Sequence, residues 1–407
     1  MFLNVSSETG RLQAVVVHTP GEEVALVSPE IKDDLLFDDI VFGPAARKEH
    51  LEMLEIFRAV MPSDGKILQI SELILDVFRL REARAAFITE VIDLLPEDNI
   101  ASVRDALFSL TPAELYEFAV LGRTKRIPSF ALLPSPNILF TRDLAAVAGN
   151  NVVLSKAAKK ARLRESLLMD ILLRHHGEFH SLRHNVIRLS RFDSIEGGDI
   201  LIASGKVVLI GMSERSSFSG VMRAGQELLQ RGFKTILVVD IPKQRASMHL
   251  DTIFTFCSPT ECLVFPQAIT ERTDYVVALT MRGGRMITTL KNNLHDALQE
   301  SLGREITFIN CGGDEEIHQL REQWTDGANV FALAPGVVVG YERNTRTFET
   351  LARNGYTVIR QHDFLQLPQK EIRALVATQK LAVSFEGNEL CRGRGGARCM
   401  TLPLKRT

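Results

Sequence analysis

Lys206-Val207-Val208-Leu209-Ile210-Gly211-Met212, running on through Ser213-Glu214-Arg215-Ser216 towards Leu229 and then into Arg231-Gly232-Phe233-Lys234-Thr235-Ile236-Leu237-Val238-Val239-Asp240, decides the fold class. A β-branched run of strand length is followed by a polar stretch carrying an arginine, a segment long enough for a helix, a glycine and a second β-branched run. The same order recurs from Asn151 to Leu168, with Arg162, and from Gly336 to Leu351, with Arg343. The last unit also passes through a glycine into a second strand, Arg353-Asn354-Gly355-Tyr356-Thr357. This weak repetition predicts an α/β chain of similar modules around a shared centre, although an ordinary doubly wound sheet has the same periodicity.

Outward from these units, Leu12 to Val17, closed by Thr19-Pro20-Gly21, reads as a buried strand and turn, and Ile200-Leu201-Ile202 as another strand. Between Glu72 and Thr124 the period changes. Leu73, Val77 and Leu80, then Val103, Ala106, Leu107 and Leu110, follow helical spacing without clear strands. Thr111-Pro112-Ala113-Glu114 is a capping-box pattern with proline at the first helical position. Residues 72–124 are therefore expected to form an all-helical insertion, and 1–71 with 125–407 the α/β domain.

The 407 residues are 45% hydrophobic and 24% charged, with a formal net charge of −2. This balance suits a globular chain and offers no basic footprint for nucleic acid or an anionic membrane surface. The opening residues mix Asn4, Ser6, Glu8 and Arg11 into apolar positions, so no signal peptide or membrane span is expected. Five cysteines without Cys-x-x-Cys spacing disfavour a disulfide framework and a structural zinc site, and point to a reducing, cytoplasmic location. The apolar helix faces suit either the core or a contact within a homo-oligomer.

Polar residues gather at four strand ends or loops: Pro136-Asn137-Ile138-Leu139-Phe140-Thr141-Arg142-Asp143, Ile195-Glu196-Gly197-Gly198-Asp199, Ser247-Met248-His249-Leu250-Asp251-Thr252, and Gly393-Arg394-Gly395-Gly396-Ala397-Arg398-Cys399-Met400-Thr401. Each alone has a plain structural explanation. Together they supply a thiol, an imidazole and several carboxylates, and His249 and Asp251 would share one face if the segment were a strand. Carboxylates around a thiol oppose a thiolate, so the set makes sense where the substrate is itself a cation.

Through Phe140-Thr141-Arg142-Asp143, Glu196-Gly197-Gly198-Asp199, Met248-His249-Leu250-Asp251-Thr252 and Arg392-Gly393-Arg394-Gly395-Gly396-Ala397-Arg398-Cys399-Met400-Thr401, the chain resembles the bacterial arginine deiminases of the guanidino-group-modifying superfamily. Glu8-Thr9-Gly10-Arg11-Leu12 and Leu36-Phe37-Asp38-Asp39-Ile40 are also similar, so the resemblance runs over essentially the full length in family order.

The resemblance implies a five-module pseudo-symmetric α/β-propeller (pentein) with an inserted all-helical domain. It also implies hydrolysis of free L-arginine to L-citrulline and ammonia through a covalent S-alkylthiouronium on the cysteine, with neither metal nor organic cofactor. Carried over by position, Cys399 matches the nucleophile, His249 the general acid/base, Glu196 its carboxylate partner, and Asp143 and Asp251 the guanidinium-binding pair. Asn137, Phe140, Arg162, Arg215, Gly393 and Arg394 match positions around the substrate's amino-acid end or the wall of the site, with Arg162 and Arg215 expected on the α-carboxylate. Where some family members have His before the nucleophile, this chain has Arg398. Competing readings are another guanidino-modifying enzyme, an amidinotransferase or a methylarginine hydrolase, and a non-catalytic arginine-binding protein.

Overall fold

The computed structural model describes residues 3–127, 132–182, 184–190 and 192–407. Within them the strands form five separate sheets built on one plan. In each, a central strand runs antiparallel to one neighbour and parallel to the other. Leu12–Val17 lies between Leu402–Arg406 and Lys66–Gln69. Asn151–Leu154 lies between Ala145–Ala148 and Val186–Ile187, and Val207–Met212 between Ile200–Ser204 and Thr235–Asp240. Glu261–Val264 lies between Phe254–Ser258 and Thr307–Asn310, and Val337–Tyr341 between Phe331–Ala334 and Lys380–Phe385. The third sheet is extended by the hairpin Val276–Arg282 and Arg285–Lys291.

The three repeats read in the sequence each start on a central strand and enter the helix behind it. A parallel partner needs such a crossover, since a tight turn cannot return the chain in the same direction. Helix Phe218–Gln230 is one case: Ser217 Oγ accepts from Gly220 N at 3.2 Å at its start, and Val221, Ala224 and Leu228 are buried along one face.

Residues 70–121 carry helices Ile70–Val77, Arg81–Val91, Glu97–Ser109 and Pro112–Leu121. The capping box forms as expected, with Glu114 N on Thr111 Oγ1 at 3.3 Å and Thr111 N on Glu114 Oε2 at 2.8 Å. Their buried residues, among them Ile74, Val77, Phe87, Leu107 and Phe118, join Leu168 and Leu172 of helix Leu163–His175 and Val147 and Val153 of the second sheet in one apolar cluster. The helical block therefore completes the core of its neighbour. Among the described residues, no helix is long and apolar enough to cross a membrane.

What places the site is the turn ahead of each sheet's first strand in the central pairing. Short 3-10 turns at Thr141–Leu144, Gly197–Asp199 and Leu250–Thr252 precede the strands that begin at Ala145, Ile200 and Phe254. Asn329 precedes Phe331–Ala334, and Cys399 precedes Leu402–Arg406. The five sheets thus each deliver polar side chains to one region.

Candidate active site

The turns bring together the residues that the four sequence clusters kept apart. Cys399 Sγ lies 3.9 Å from Asp251 Oδ1 and 3.8 Å from Asp251 Oδ2. His249 Nε2 is 2.9 Å from Glu196 Oε2, and His249 Nδ1 is 3.6 Å from Asp143 Oδ1. His249 and Asp251 do not lie on a strand: His249 is the extended residue that opens the 3-10 turn Leu250–Thr252. The turn still presents both to the site, because the 3-10 turn starts immediately behind His249. Gly198 lets the imidazole approach, since a Cβ there would stand 2.8 Å from both Asp143 Oδ1 and His249 Nδ1.

Burial sets the electrostatics. Cys399 is 3% exposed, His249 1% and Asp251 0%. For Cys399, loss of water raises the thiol's pKa well above its usual value; Asp251, Asp143 and Asp326 add to the rise, and Arg398 opposes it. For His249, burial favours the neutral ring, but Asp143, the hydrogen bond to Glu196 and the charge of Asp199 outweigh it and lift the pKa to about 9. Glu196 moves down: burial resists, and the hydrogen bond to His249 with Arg162 and Arg215 nearby prevails. At neutral pH these shifts favour the protonated thiol and the imidazolium–carboxylate form of the His249–Glu196 pair.

Arg162 is fully engaged. Its Nη1 donates to Asp143 Oδ2 at 2.5 Å and lies 3.5 Å from Glu196 Oε2; Nε donates to Glu165 at 2.9 Å; Nη2 donates to the carbonyls of Asn137 and Phe140 at 3.1 and 3.3 Å. Arg215 has its Nη1 3.8 Å from Glu196 Oε2, and its buried Nε, 3.8 Å from Glu214 Oε1, has no hydrogen-bond partner among the described residues. Of the two arginines, Arg215 holds the freer donors. Asn137 Nδ2 donates to Leu35 O at 2.7 Å. Phe140 packs on the loop: a Cβ on Gly395 would come within 2.2 Å of its ring, and one on Gly393 would sit 3.5 Å away.

Arg394 is buried and held by groups outside the four clusters. It adopts a left-handed backbone, φ 63°, stacks over the Trp324 ring at 3.9 Å, and donates to the carbonyls of Trp324 and Ala246. Its Nε is 3.4 Å from Asp38 Oδ2.

Several positioning residues escaped the sequence reading. Asn329 ties Cys399 to Asp251: Cys399 N donates to its Oδ1 at 3.0 Å, and its Nδ2 donates to Asp251 O at 2.8 Å. Asp199 receives Ser213 Oγ and Ser216 Oγ at 2.6 Å each and Leu250 N at 2.8 Å, which fixes both the loop of Arg215 and the turn of Asp251. Asp199 had a signal, its place beside Glu196; Asn329 had none. The group whose geometry could hold a metal ion among the described residues is Asp143, Glu196 and His249. Arg162 Nη1 already places a positive charge between the two carboxylates there.

A model of the arginine deiminase family matches residues 116–406. Arginine deiminases of Listeria monocytogenes serotype 4a and of Latilactobacillus sakei are 34% and 32% identical to this chain, with 99% of it and 98% of each of them aligned. Among solved structures, a DDAH mutant from Pseudomonas aeruginosa complexed with citrulline is 14% identical with a TM-score of 0.53, over 96% of this chain and 99% of that one. An amidinotransferase from Microseira wollei is 13% identical with a TM-score of 0.54, over 100% of this chain and 98% of that one. At those identities the likeness is one of mixed α/β fold.

Proposed function

The chain belongs to the arginine deiminase family, and from that premise we propose that it hydrolyses free L-arginine to L-citrulline and ammonia, with Cys399 as nucleophile. The observation that carries the reading is the convergence of a thiol, an imidazole paired with a carboxylate, and two further carboxylates in one buried cluster.

Asp143 and Asp251 accept the N–H groups of the substrate guanidinium, a planar cation that stays charged at neutral pH. Entry of that cation supplies the charge the buried thiol lacks, and the thiol proton passes to solvent water as the substrate loads. The thiolate attacks the guanidinium carbon and forms the C–S bond. His249, already protonated, gives its proton to the departing nitrogen, the C–N bond breaks, ammonia leaves, and the S-alkylthiouronium remains. His249, now neutral, takes a proton from water as the water adds to the same carbon. The C–S bond then breaks, citrulline is released and Cys399 is regenerated. Acid/base assistance of this kind is worth about 10²–10⁴-fold. Glu196 keeps the imidazole oriented and cationic.

Arg215, with Arg162 and Asn137 behind it, faces the α-carboxylate end, and Phe140, Gly393 and Arg394 form the wall. Because every reacting group is buried, arginine enters by displacement of the Gly393–Gly396 loop. The five sheets of one plan support a five-module α/β-propeller, with 72–124 as a helical insertion between catalytic segments 1–71 and 125–407. The five cysteines are unpaired, which suits a reducing cytoplasm.

Incubation of the purified protein with L-arginine, agmatine, methylarginine and an arginine-containing peptide, with assay of ureido product and ammonia, tests the reading. Citrulline from arginine alone is expected, and its absence refutes the proposal. Cys399→Ala should bind arginine without turnover; substantial residual turnover removes Cys399 from its role.

A further inference from the structure

The chemistry above leaves the buried cation beside Cys399 without a role. Arg398, next to the nucleophile and 1% exposed, has its guanidinium held in three directions. Nη1 donates to Asp251 Oδ2 at 2.6 Å, Nε to Glu8 Oε2 at 3.1 Å, and Nη2 to Ile200 O at 3.0 Å. Glu8 is itself pinned to the third sheet: its Oε1 accepts from Ile202 N at 3.1 Å, and its own N–H donates to Ile202 O at 2.7 Å. A residue near the N-terminus, one near the C-terminus and a turn in mid-chain are thereby joined in one run of charge-assisted bonds. A planar fork committed on three sides cannot swing with a substrate.

The Asp251 arrangement has a counterpart across the site. Asp143 gives Oδ2 to Arg162 and keeps Oδ1 without a hydrogen-bond partner. Asp251 gives Oδ2 to Arg398, and both of its oxygens lie beside the Cys399 sulfur, Oδ1 at 3.9 Å and Oδ2 at 3.8 Å. Each carboxylate therefore has one oxygen tied to a protein guanidinium and one outside that bond.

Resting on the reading that Asp251 grips the substrate guanidinium, we propose that Arg398, itself held by Glu8, is a positioning residue: it keeps Asp251 ionised and turned so that Oδ1 meets the substrate beside Cys399. Arg398 touches neither the substrate nor the reacting atoms. Without it, Asp251 is a buried carboxylate facing Asp143 with its strongest countercharge gone, and its pKa, which burial already raises, rises further.

Four proteins test this: the parent, Arg398→Met, Arg398→Lys and Glu8→Gln, each checked for folding by its thermal transition and then assayed with arginine across pH. Arg398→Met should lose about 10²-fold in kcat/KM, the scale of a displaced catalytic group. Its kcat/KM should also rise with pH, as Asp251 ionises, over a range displaced to higher pH than in the parent. Arg398→Lys should recover at least part of the loss and bring that range back towards the parent's, because the charge returns without the fork. A folded Arg398→Met with the parent's kcat, KM and pH profile overturns the proposal, and so does an Arg398→Lys no better than Arg398→Met. If Arg398→Met does not fold, Glu8→Gln carries the test, with a smaller fall in kcat/KM expected and parental kinetics overturning it. A parent that makes no citrulline refutes the functional reading instead, whereas an active parent with an unaffected Arg398→Met refutes only the positioning role.

Discussion

His249 Nε2 meets Glu196 Oε2 at 2.9 Å with both side chains out of solvent, so the imidazole is paired before any substrate arrives. The carboxylates around it lift its pKa to about 9 even against burial. In the proposed reaction protonated His249 is the acid for ammonia departure, and kcat/KM should therefore fall as pH rises through about 9. Glu196→Gln removes a charge that favours the imidazolium; the alkaline limb should move to lower pH and the rate should drop by about 10²-fold or more. A limb that stays in place in Glu196→Gln would remove Glu196 as the partner that sets the proton on His249.

The two arginines beside Glu196 should separate by substrate. Arg215 has a buried Nε without a hydrogen-bond partner, whereas every nitrogen of Arg162 is bonded. Arg215→Met should reduce the preference for arginine over agmatine, which lacks the carboxylate, by about tenfold to 10²-fold, the worth of a buried charged contact. Arg162→Met should lower turnover of both substrates together, because Asp143 loses its support. Equal effects on both substrates from Arg215→Met would contradict its assignment to the α-carboxylate.

Trp324 is the chain's one tryptophan, and Arg394 stacks on it at 3.9 Å. A cation over an indole contributes about 0.5–2 kcal/mol, small enough for a bound substrate to break. In Cys399→Ala, titration with arginine should change tryptophan emission saturably, with a midpoint equal to the calorimetric Kd. Binding by calorimetry with constant emission would show that Arg394 does not leave Trp324.

His50, on helix Gly43–Val60, is fully buried, and neither ring nitrogen has a hydrogen-bond partner among the described residues. Burial, with His18 and Arg47 nearby, lowers its pKa from 6.5 to about 3. The folded state keeps it neutral while the unfolded chain takes up a proton below 6.5. This site therefore destabilises the fold progressively as pH falls from 6.5 towards 3, by about 3 kcal/mol at pH 4. His50→Leu should make the acid-side decline in Tm shallower than in the parent; identical slopes between pH 6.5 and 4 would place the acid sensitivity elsewhere.

Much of the site was legible because its residues lie in short local motifs: Asp143 beside Arg142, Glu196 before Gly197-Gly198-Asp199, His249 two before Asp251, and Cys399 after the glycine-rich loop. The central strands were legible as β-branched runs, and the helix at Pro112 from its cap. The pairing of His249 and Asp251 on one strand was not the outcome, since period-two spacing cannot tell an extended pair from an extended residue that opens a turn.

The order of residues along the chain by itself determined which turns carry acids, imidazole and thiol, and that the modules repeat, since backbone periodicity and turn chemistry are local properties. Only the tertiary structure decided that Arg394 lies on Trp324, that Asn329 ties Cys399 to Asp251, and that Arg398 bridges Glu8 and Asp251. Those contacts join residues far apart in sequence whose neighbours say nothing of them. They form because burial leaves a charged group few places to find a partner, and the closing of five sheets around one region chooses which partner that is.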